Sequence, residues 1–538
     1  AWDVEAATMR RLTDQGTATL VVDITPDGSH VLFLQDVTGS ELGHLMRVPF
    51  EGGEAVDLTP DLPPYAVTAL TARDDGFAAV IADDDGRQVM VLDRDGLRTC
   101  PVDGLGLSIV AGTHSVAVTE ATPGQGLVPR VRLLDRRSLT TTDQLDGAAA
   151  FVARGQRFAL ATAVDGWQRP ALWVPGEEVE VLDIPLEGDV VPVDLSPDGW
   201  TLLLHQSHRT VDRLHIFDVA TGDLTGLALG TGGILGFLAP PSLHGRSATA
   251  VWTSATTPAT VVDVTASEAR PLLPGLAAEF AGARWEEFTF RSTDDAEIHG
   301  WVLVPPGDGP FPLILNGHGG PTSVQGPVFA PTAQAWVDHG FAYATVNYRG
   351  SVGFGEAFRE ALTGRIGTVE IDDIVSARRW LVDSGIADPD RVLLNGYSYG
   401  GYITCMTMGL HPGLWAGGIA GAPVVDWVML HEDSPSTRAY ADALFGGGPD
   451  TAGKRMRKAS PTTYVDRVDA PMFISAPTDD GRTPIRPVRE YVRLLREAGV
   501  DVELHEMRGG HAGAGKDQTI DMVERWLSFA ARVVDREH

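Results

Sequence analysis

The segment Asn395-Gly396-Tyr397-Ser398-Tyr399-Gly400-Gly401-Tyr402 stands between an apolar run, Arg391 to Leu394, and a helix-like stretch that begins at Ile403. A strand must therefore reverse sharply into a helix at Ser398, and glycines flank the serine because a Cβ on either side would collide with neighbouring backbone. The turn lifts the Ser398 hydroxyl clear of the fold. It also aims the Tyr399 backbone N–H at the position where a tetrahedral oxyanion would form.

With 61 glycines in the chain, one Gly-x-Ser-x-Gly is weak by itself. It gains weight from partners in the order serine, acid, histidine that an α/β-hydrolase requires. After the strand candidate Pro471 to Ile474 comes Thr478-Asp479-Asp480-Gly481-Arg482-Thr483-Pro484, a loop leading into a helix from Ile485 to Ala498. A carboxylate at a strand end orients an imidazole and stabilises its cation, and both Asp479 and Asp480 stand in that place. Asp501 to Met507 then alternates like a strand and opens into Gly509-Gly510-His511-Ala512-Gly513, a loop from which a histidine reaches a neighbouring strand end. Singly, an Asp-Asp-Gly turn is solvated and a loop histidine is inert. Three such residues in the required order, each at a strand-to-loop junction, outweigh that reading. A fourth element is the apolar run Phe311 to Leu315, ending in Asn316-Gly317-His318-Gly319-Gly320-Pro321. It offers bare backbone amides where an α/β-hydrolase takes its second oxyanion donor, although a plain Gly-Pro turn looks the same.

Together His318-Gly319-Gly320-Pro321, Asn347-Tyr348-Arg349-Gly350-Ser351 with Gly353-Phe354-Gly355, Gly396 to Tyr402, Asp480-Gly481-Arg482-Thr483-Pro484 and Gly510-His511-Ala512 resemble the prolyl oligopeptidase family of serine peptidases. The likeness is to its acylaminoacyl peptidase and dipeptidyl or aminopeptidase branch, over about residues 285 to 538. It implies a triad of Ser398, Asp480 and His511, with the Asp-x-Arg-Thr-Pro register selecting Asp480 over Asp479. It implies too that Arg482 binds a substrate carbonyl beyond the scissile residue, the alternative being an ion pair with Asp479 or Asp480. Prolyl oligopeptidase proper and the dipeptidyl peptidase IV group carry a tyrosine where this chain has His318. The implied oxyanion donors are therefore the amides of Tyr399 and Gly319, and His318 shapes the loop.

Specificity is less legible. Trp427, with Val424 and Val425, reads equally as the wall of an apolar substrate pocket and as core. Glu432, in His431-Glu432-Asp433, offers a carboxylate for a substrate's free α-amino group, against the commoner solvated loop. A carboxylate in the pocket makes an aminopeptidase; an apolar pocket with only Arg482 suits N-acylated peptides. The reading leans to a serine peptidase cleaving short peptides or aminoacyl amides near the N-terminus through an acyl-enzyme. Its rivals are an acylaminoacyl peptidase, an acyltransferase or small-molecule hydrolase with the same triad, and an inactive scaffold. No cofactor or metal is expected, and homo-oligomerisation stays open.

Upstream the texture changes. Between about 18 and 280 short alternating apolar runs are separated by Asp-Gly and Pro-Asp-Gly turns, and Ile24-Thr25-Pro26-Asp27-Gly28 is nearly repeated by Leu195-Ser196-Pro197-Asp198-Gly199. Weaker copies begin near Thr71, Ile109, Phe151 and Leu238. A period of about 40 residues with four short strands per unit reads as a β-propeller, a pair of β-sandwiches being the alternative. Six blades are visible, and the family resemblance implies seven. The expected division is an N-terminal helix within 1–17, from the spacing of Val4 to Leu12, a propeller over 18–284, and a hydrolase domain over 285–538. The hydrolase part alternates strand and helix as a doubly wound, mostly parallel sheet does.

With 538 residues the chain exceeds one ordinary core. Its 72 acidic and 42 basic residues, a balance of −30, repel nucleic acid and anionic membranes. No run approaches the ~18 apolar residues of a membrane span, and no basic-then-apolar leader opens the sequence. Cys100 and Cys405 make no disulfide framework or zinc spacing, which fits a cytoplasmic protein.

Overall fold

The computed structural model describes the chain outside residues 1, 4–7, 14–20, 37, 103, 122–126, 237, 273–281, 512–514 and 536–538. By contacts it divides into two units. One comprises Ala1–Val37, Glu41–Phe280 and Gly353–Glu356, the other Thr38–Ser40, Ala281–Val352 and Ala357–His538.

The first unit is a six-bladed β-propeller among the described residues. Five antiparallel four-stranded sheets follow one another from Val22 to Gly226, and a sixth sheet of five strands runs from Gly233 to Pro271. No blade can bury both of its faces alone, so each core is shared between neighbours. Val80, Val89 and Val91 of the second blade pack with Ile109, Val116 and Val118 of the third. Leu203 and Leu214 of the fifth pack with Ala250 and Val262 of the sixth. The two near-repeats are the turns between the first and second strands of blades one and five. In each, the glycine N–H returns to a carbonyl three residues back, Gly28 to Thr25 at 2.7 Å and Gly199 to Ser196 at 2.9 Å. Gly28 and Gly199 take φ of 71° and 77°, where a side chain would be strained.

The expected helix over Val4 to Leu12 is corrected. Thr8–Met9 is a strand paired antiparallel with Trp2–Asp3, and Val4 to Ala7 lie outside the described residues. An isolated helix of nine or so residues is marginal in water, so local pairing prevails over the helical spacing.

The second unit is an α/β-hydrolase built on one eight-stranded sheet. Its strands are β1 (Glu286–Arg291), β2 (Glu297–Leu303), β3 (Phe311–Gly317), β4 (Ala342–Asn347), β5 (Ala387–Tyr397), β6 (Gly417–Gly421), β7 (Met472–Pro477) and β8 (Val502–Met507). They lie in the order β1-β2-β4-β3-β5-β6-β7-β8, antiparallel up to the β2–β4 pair and parallel from there on. Helices cover both faces, as the period-two alternation of a strand requires. At Gly417 the sheet meets Val533 of the helix Lys516–Val534, and at Gly418 it meets Met408 and Thr404 of the helix Tyr399–Leu410. Trp336, Phe341, Phe473, Trp526 and Phe529 fill the first of these layers. Ile520 of the last helix is exposed.

Cys100 and Cys405 are free thiols, the second buried. Among the described residues no helix is long and apolar enough to cross a membrane.

Candidate active site

Ser398 sits where β5 ends and the helix Tyr399–Leu410 begins, with φ 59° and ψ −118°. That backbone conformation is unfavourable for a residue with a Cβ, and here it is over-determined by neighbours. Ser398 N–H donates to Gly421 O of β6 at 2.8 Å, and Ser398 O accepts the first helical bond from Tyr402 N–H at 3.0 Å. The flanking glycines are there for proximity. A Cβ on Gly400 would overlap the Gly317 carbonyl, one on Gly396 would overlap Gly400 itself, and one on Gly401 would come within 2.6 Å of Gly421 O.

Asp480 follows β7 and His511 follows β8, so adjacent parallel strands deliver both to the carboxyl edge beside Ser398. His511 Nδ1–H donates to Asp480 Oδ2 at 2.7 Å, which leaves Nε2 to accept the Ser398 hydroxyl at 2.9 Å. The Asp480 side chain is wholly buried. Its charge is met by the N–H groups of Arg482 and Thr483, both 2.8 Å from Oδ1, and by the Thr483 hydroxyl 2.7 Å from Oδ2. Asp479 is occupied elsewhere, accepting the N–H of Gly509 at 3.2 Å and the Thr478 hydroxyl at 2.9 Å. Tyr397 OH donates to His511 O at 2.9 Å, fixing the histidine loop from below. Gly481 and Gly510 adjoin the acid and the histidine. In this same unit the backbone of Ser40 and Gly39 passes so close that a Cβ on either glycine would overlap a carbonyl oxygen.

The second oxyanion candidate, Gly319, lies against the nucleophile. A Cβ there would stand 3.0 Å from Tyr397 O and 3.5 Å from Ser398 Cβ. Its peptide is locked: Tyr348 OH donates to His318 O at 2.8 Å, and in a trans peptide the Gly319 N–H points the opposite way. The buried His318 ring stacks on Tyr348 and donates from Nδ1 to Gly319 O at 2.8 Å, while its Nε2 lies 2.9 Å from Ser351 Oγ, whose hydroxyl donates to Tyr348 O at 2.7 Å. Burial pushes this imidazole down to about 4, so it is neutral and shapes the loop. Tyr399, as the first helical residue, has no helical acceptor for its N–H.

The specificity residues are placed differently from the pocket reading. Trp427 is 2% exposed and packs against Tyr399, Tyr402 and Phe445, and Val424 is also buried. Both belong to the core beneath the elbow. Glu432, the candidate partner for a substrate's α-amino group, is ion-paired together with Asp433 to Arg486 at the surface, Nη2 to Oε2 at 2.9 Å. Arg482 keeps an exposed side chain on the Asp480 loop. Tyr397, Thr483, Tyr348 and Ser351 lie within the motifs that carry the family resemblance, but their individual roles are not readable there. Their spacing signals nothing, because each acts on a partner brought in by the fold.

A hydroxyl, an imidazole whose Nε2 accepts that hydroxyl and a buried carboxylate form a unit able to transfer a proton and attack a carbonyl. Residues 327–537 match the model of the Prolyl oligopeptidase family. The chain carries a prolyl oligopeptidase family domain. Ser398, Asp480 and His511 lie inside the matched residues, and the Gly319 loop lies before them. Over 200 residues this domain is 32% identical to the acylamino-acid-releasing enzyme of Arabidopsis thaliana, covering 36% of this chain and 26% of that protein. It is 28% identical over 250 residues to dipeptidyl aminopeptidase BIII of Pseudoxanthomonas mexicana, covering 44% of this chain and 35% of that protein. The chain thus spans about a quarter to a third of the length of these curated relatives. The fold is shared with a Mycobacterium tuberculosis puromycin-hydrolyzing peptidase at a TM-score of 0.79 and 20% identity, over 97% of this chain and 87% of that one.

Proposed function

We propose that this protein is a serine peptidase that hydrolyses short peptides or aminoacyl amides near their N-terminus through an acyl-enzyme on Ser398. The observation that carries the reading is the continuous relay from Ser398 Oγ through His511 to Asp480, at 2.9 and 2.7 Å. His511 takes the serine proton as the oxygen attacks the carbonyl, then passes it to the leaving amine; water hydrolyses the acyl-enzyme by the same route. Asp480 holds the tautomer, and the amides of Tyr399 and Gly319 receive the oxyanion, each contributing about 2.7–4 kcal/mol to the transition state. Arg482 binds a substrate carbonyl beyond the scissile residue. The propeller restricts substrates to short peptides, and the protein works in the cytoplasm. A short peptide is cleaved and an intact folded protein is not; rapid cleavage of the latter contradicts the size limit.

A second reading, an acylaminoacyl peptidase, is favoured by one observation. The ion pairing of Glu432 and Asp433 to Arg486 takes away the carboxylates that suited a free α-amino group. Comparing an aminoacyl p-nitroanilide with its N-acetyl form decides between the two. Faster turnover of the free amine supports the aminopeptidase, faster turnover of the blocked form supports the second reading, and hydrolysis of neither rejects both.

A further inference from the structure

Glu370 takes no part in the proton relay, yet it is fully buried one residue into the helix Val369–Asp383. Its Oε1 accepts the Tyr399 hydroxyl at 2.9 Å and the Gly367 N–H at 2.6 Å, and its Oε2 accepts the Thr368 N–H at 3.2 Å. A glutamine or leucine would fill this space without the cost of desolvating a carboxyl group, a cost large enough to push the group up to about 7. What the carboxylate adds is an acceptor for three donors at once, and one of the three belongs to the residue immediately after the nucleophile.

Tyr399 is held along its whole length. Its ring lies among Tyr348, Tyr402 and Trp427, with centroids 6.3, 4.9 and 6.3 Å away, and its distal hydroxyl is tied to Glu370. The near end of the same residue carries the N–H that the proposed mechanism assigns to the oxyanion. A side chain fixed at its tip limits the rotation of the peptide at its root, where Ser398 already sits in a strained conformation. We propose that Glu370 is a positioning residue for acyl transfer, anchoring the Tyr399 hydroxyl so that the Tyr399 N–H stays aimed at the oxyanion. This rests on the peptidase reading above.

The test uses the full chain with Glu370→Gln, Tyr399→Phe and the double variant, measured on the better of the two p-nitroanilides. Removing an oxyanion donor outright lowers kcat by about 10²–10³, and a donor that is only misaimed loses part of that. Each single variant is expected to lower kcat about tenfold with KM within about twofold. The double variant should fall no further than the worse single, because both changes break one link. A peptide aldehyde, whose tetrahedral adduct fills the oxyanion site, should bind the variants about tenfold more weakly. Tyr399→Phe retains the ring, and an unchanged near-ultraviolet circular dichroism spectrum checks that it is folded. Unchanged kcat in a folded Tyr399→Phe protein, or a double variant whose losses multiply, overturns the proposal. Fluorophosphonate labelling of wild-type Ser398 separates the two claims: labelling with undisturbed variants sinks the positioning role alone, and no labelling sinks the peptidase reading.

Discussion

Two buried groups on either side of the nucleophile carry opposite pH signatures. His318 titrates down near 4 because burial opposes its cation, so between about 4 and 6.5 the unfolded chain binds the extra proton and stability rises with pH. Glu370 titrates up near 7 for the same reason acting on an anion, so between about 4.5 and 7 the folded chain binds the extra proton and stability falls with pH. In the overlap the two slopes cancel. Chemical denaturation from pH 4.5 to 6.5 should therefore show the stability of Glu370→Gln rising with pH relative to wild type, and that of His318→Asn falling. Parallel curves for all three proteins would refute the assignment. Ser398 and His511 were legible locally, by glycine spacing and by a strand ending in a loop, whereas the choice of Asp480 over Asp479 came from the family resemblance. The roles of Glu370, Tyr397 and Thr483 were not legible. A glutamate at a helix start reads as an exposed first-turn acid, and only the fold reveals that Tyr399 closes over it.

At the level of elements, the elbow works because three glycines let β3, β5, β6 and a helix meet with backbone against backbone. Gly400→Ala places a methyl group on the Gly317 carbonyl, so the helix must move away from β3. A loss of about 1–3 kcal/mol or more in unfolding free energy is expected, together with loss of turnover; a variant with wild-type stability would mean that helix and strand are not in backbone contact there. Truncating Trp526, 5% exposed in the layer under the last helix, should cost about 3–5 kcal/mol while leaving the site's geometry in place. Denaturant midpoints at constant slope measure both. The strand-loop-helix rhythm of the hydrolase was readable because its runs are long and its punctuation is glycine and proline. Trp427 was not readable, since a tryptophan after a strand looks alike as pocket wall and as core. Burial decided it. The ion pair of Glu432 was not readable for a related reason: its partner Arg486 lies beyond the Asp480 loop, out of reach of any local pattern.

For the whole molecule, a net charge of −30 repels itself, and screening should relieve the strain. Raising sodium chloride from 20 mM to 300 mM is expected to raise the melting temperature; a decrease would show that specific ion pairs dominate the balance. The propeller was legible as a repeat because Asp-Gly turns recur between its strands, seen most clearly at Pro26-Asp27-Gly28 and Pro197-Asp198-Gly199. The count of six came from the chain's own strands, and the seventh blade implied by the resemblance is absent among the described residues. Substrate preference was not legible, because it depends on which charges remain unmatched after folding. The proposed chemistry depends on one hydroxyl being activated by one imidazole. Mass spectrometry of the protein after exposure to a fluorophosphonate tests this most directly. A single adduct on Ser398 in the wild type, abolished in His511→Ala, is the predicted result; no adduct, or an adduct on another residue, would contradict it.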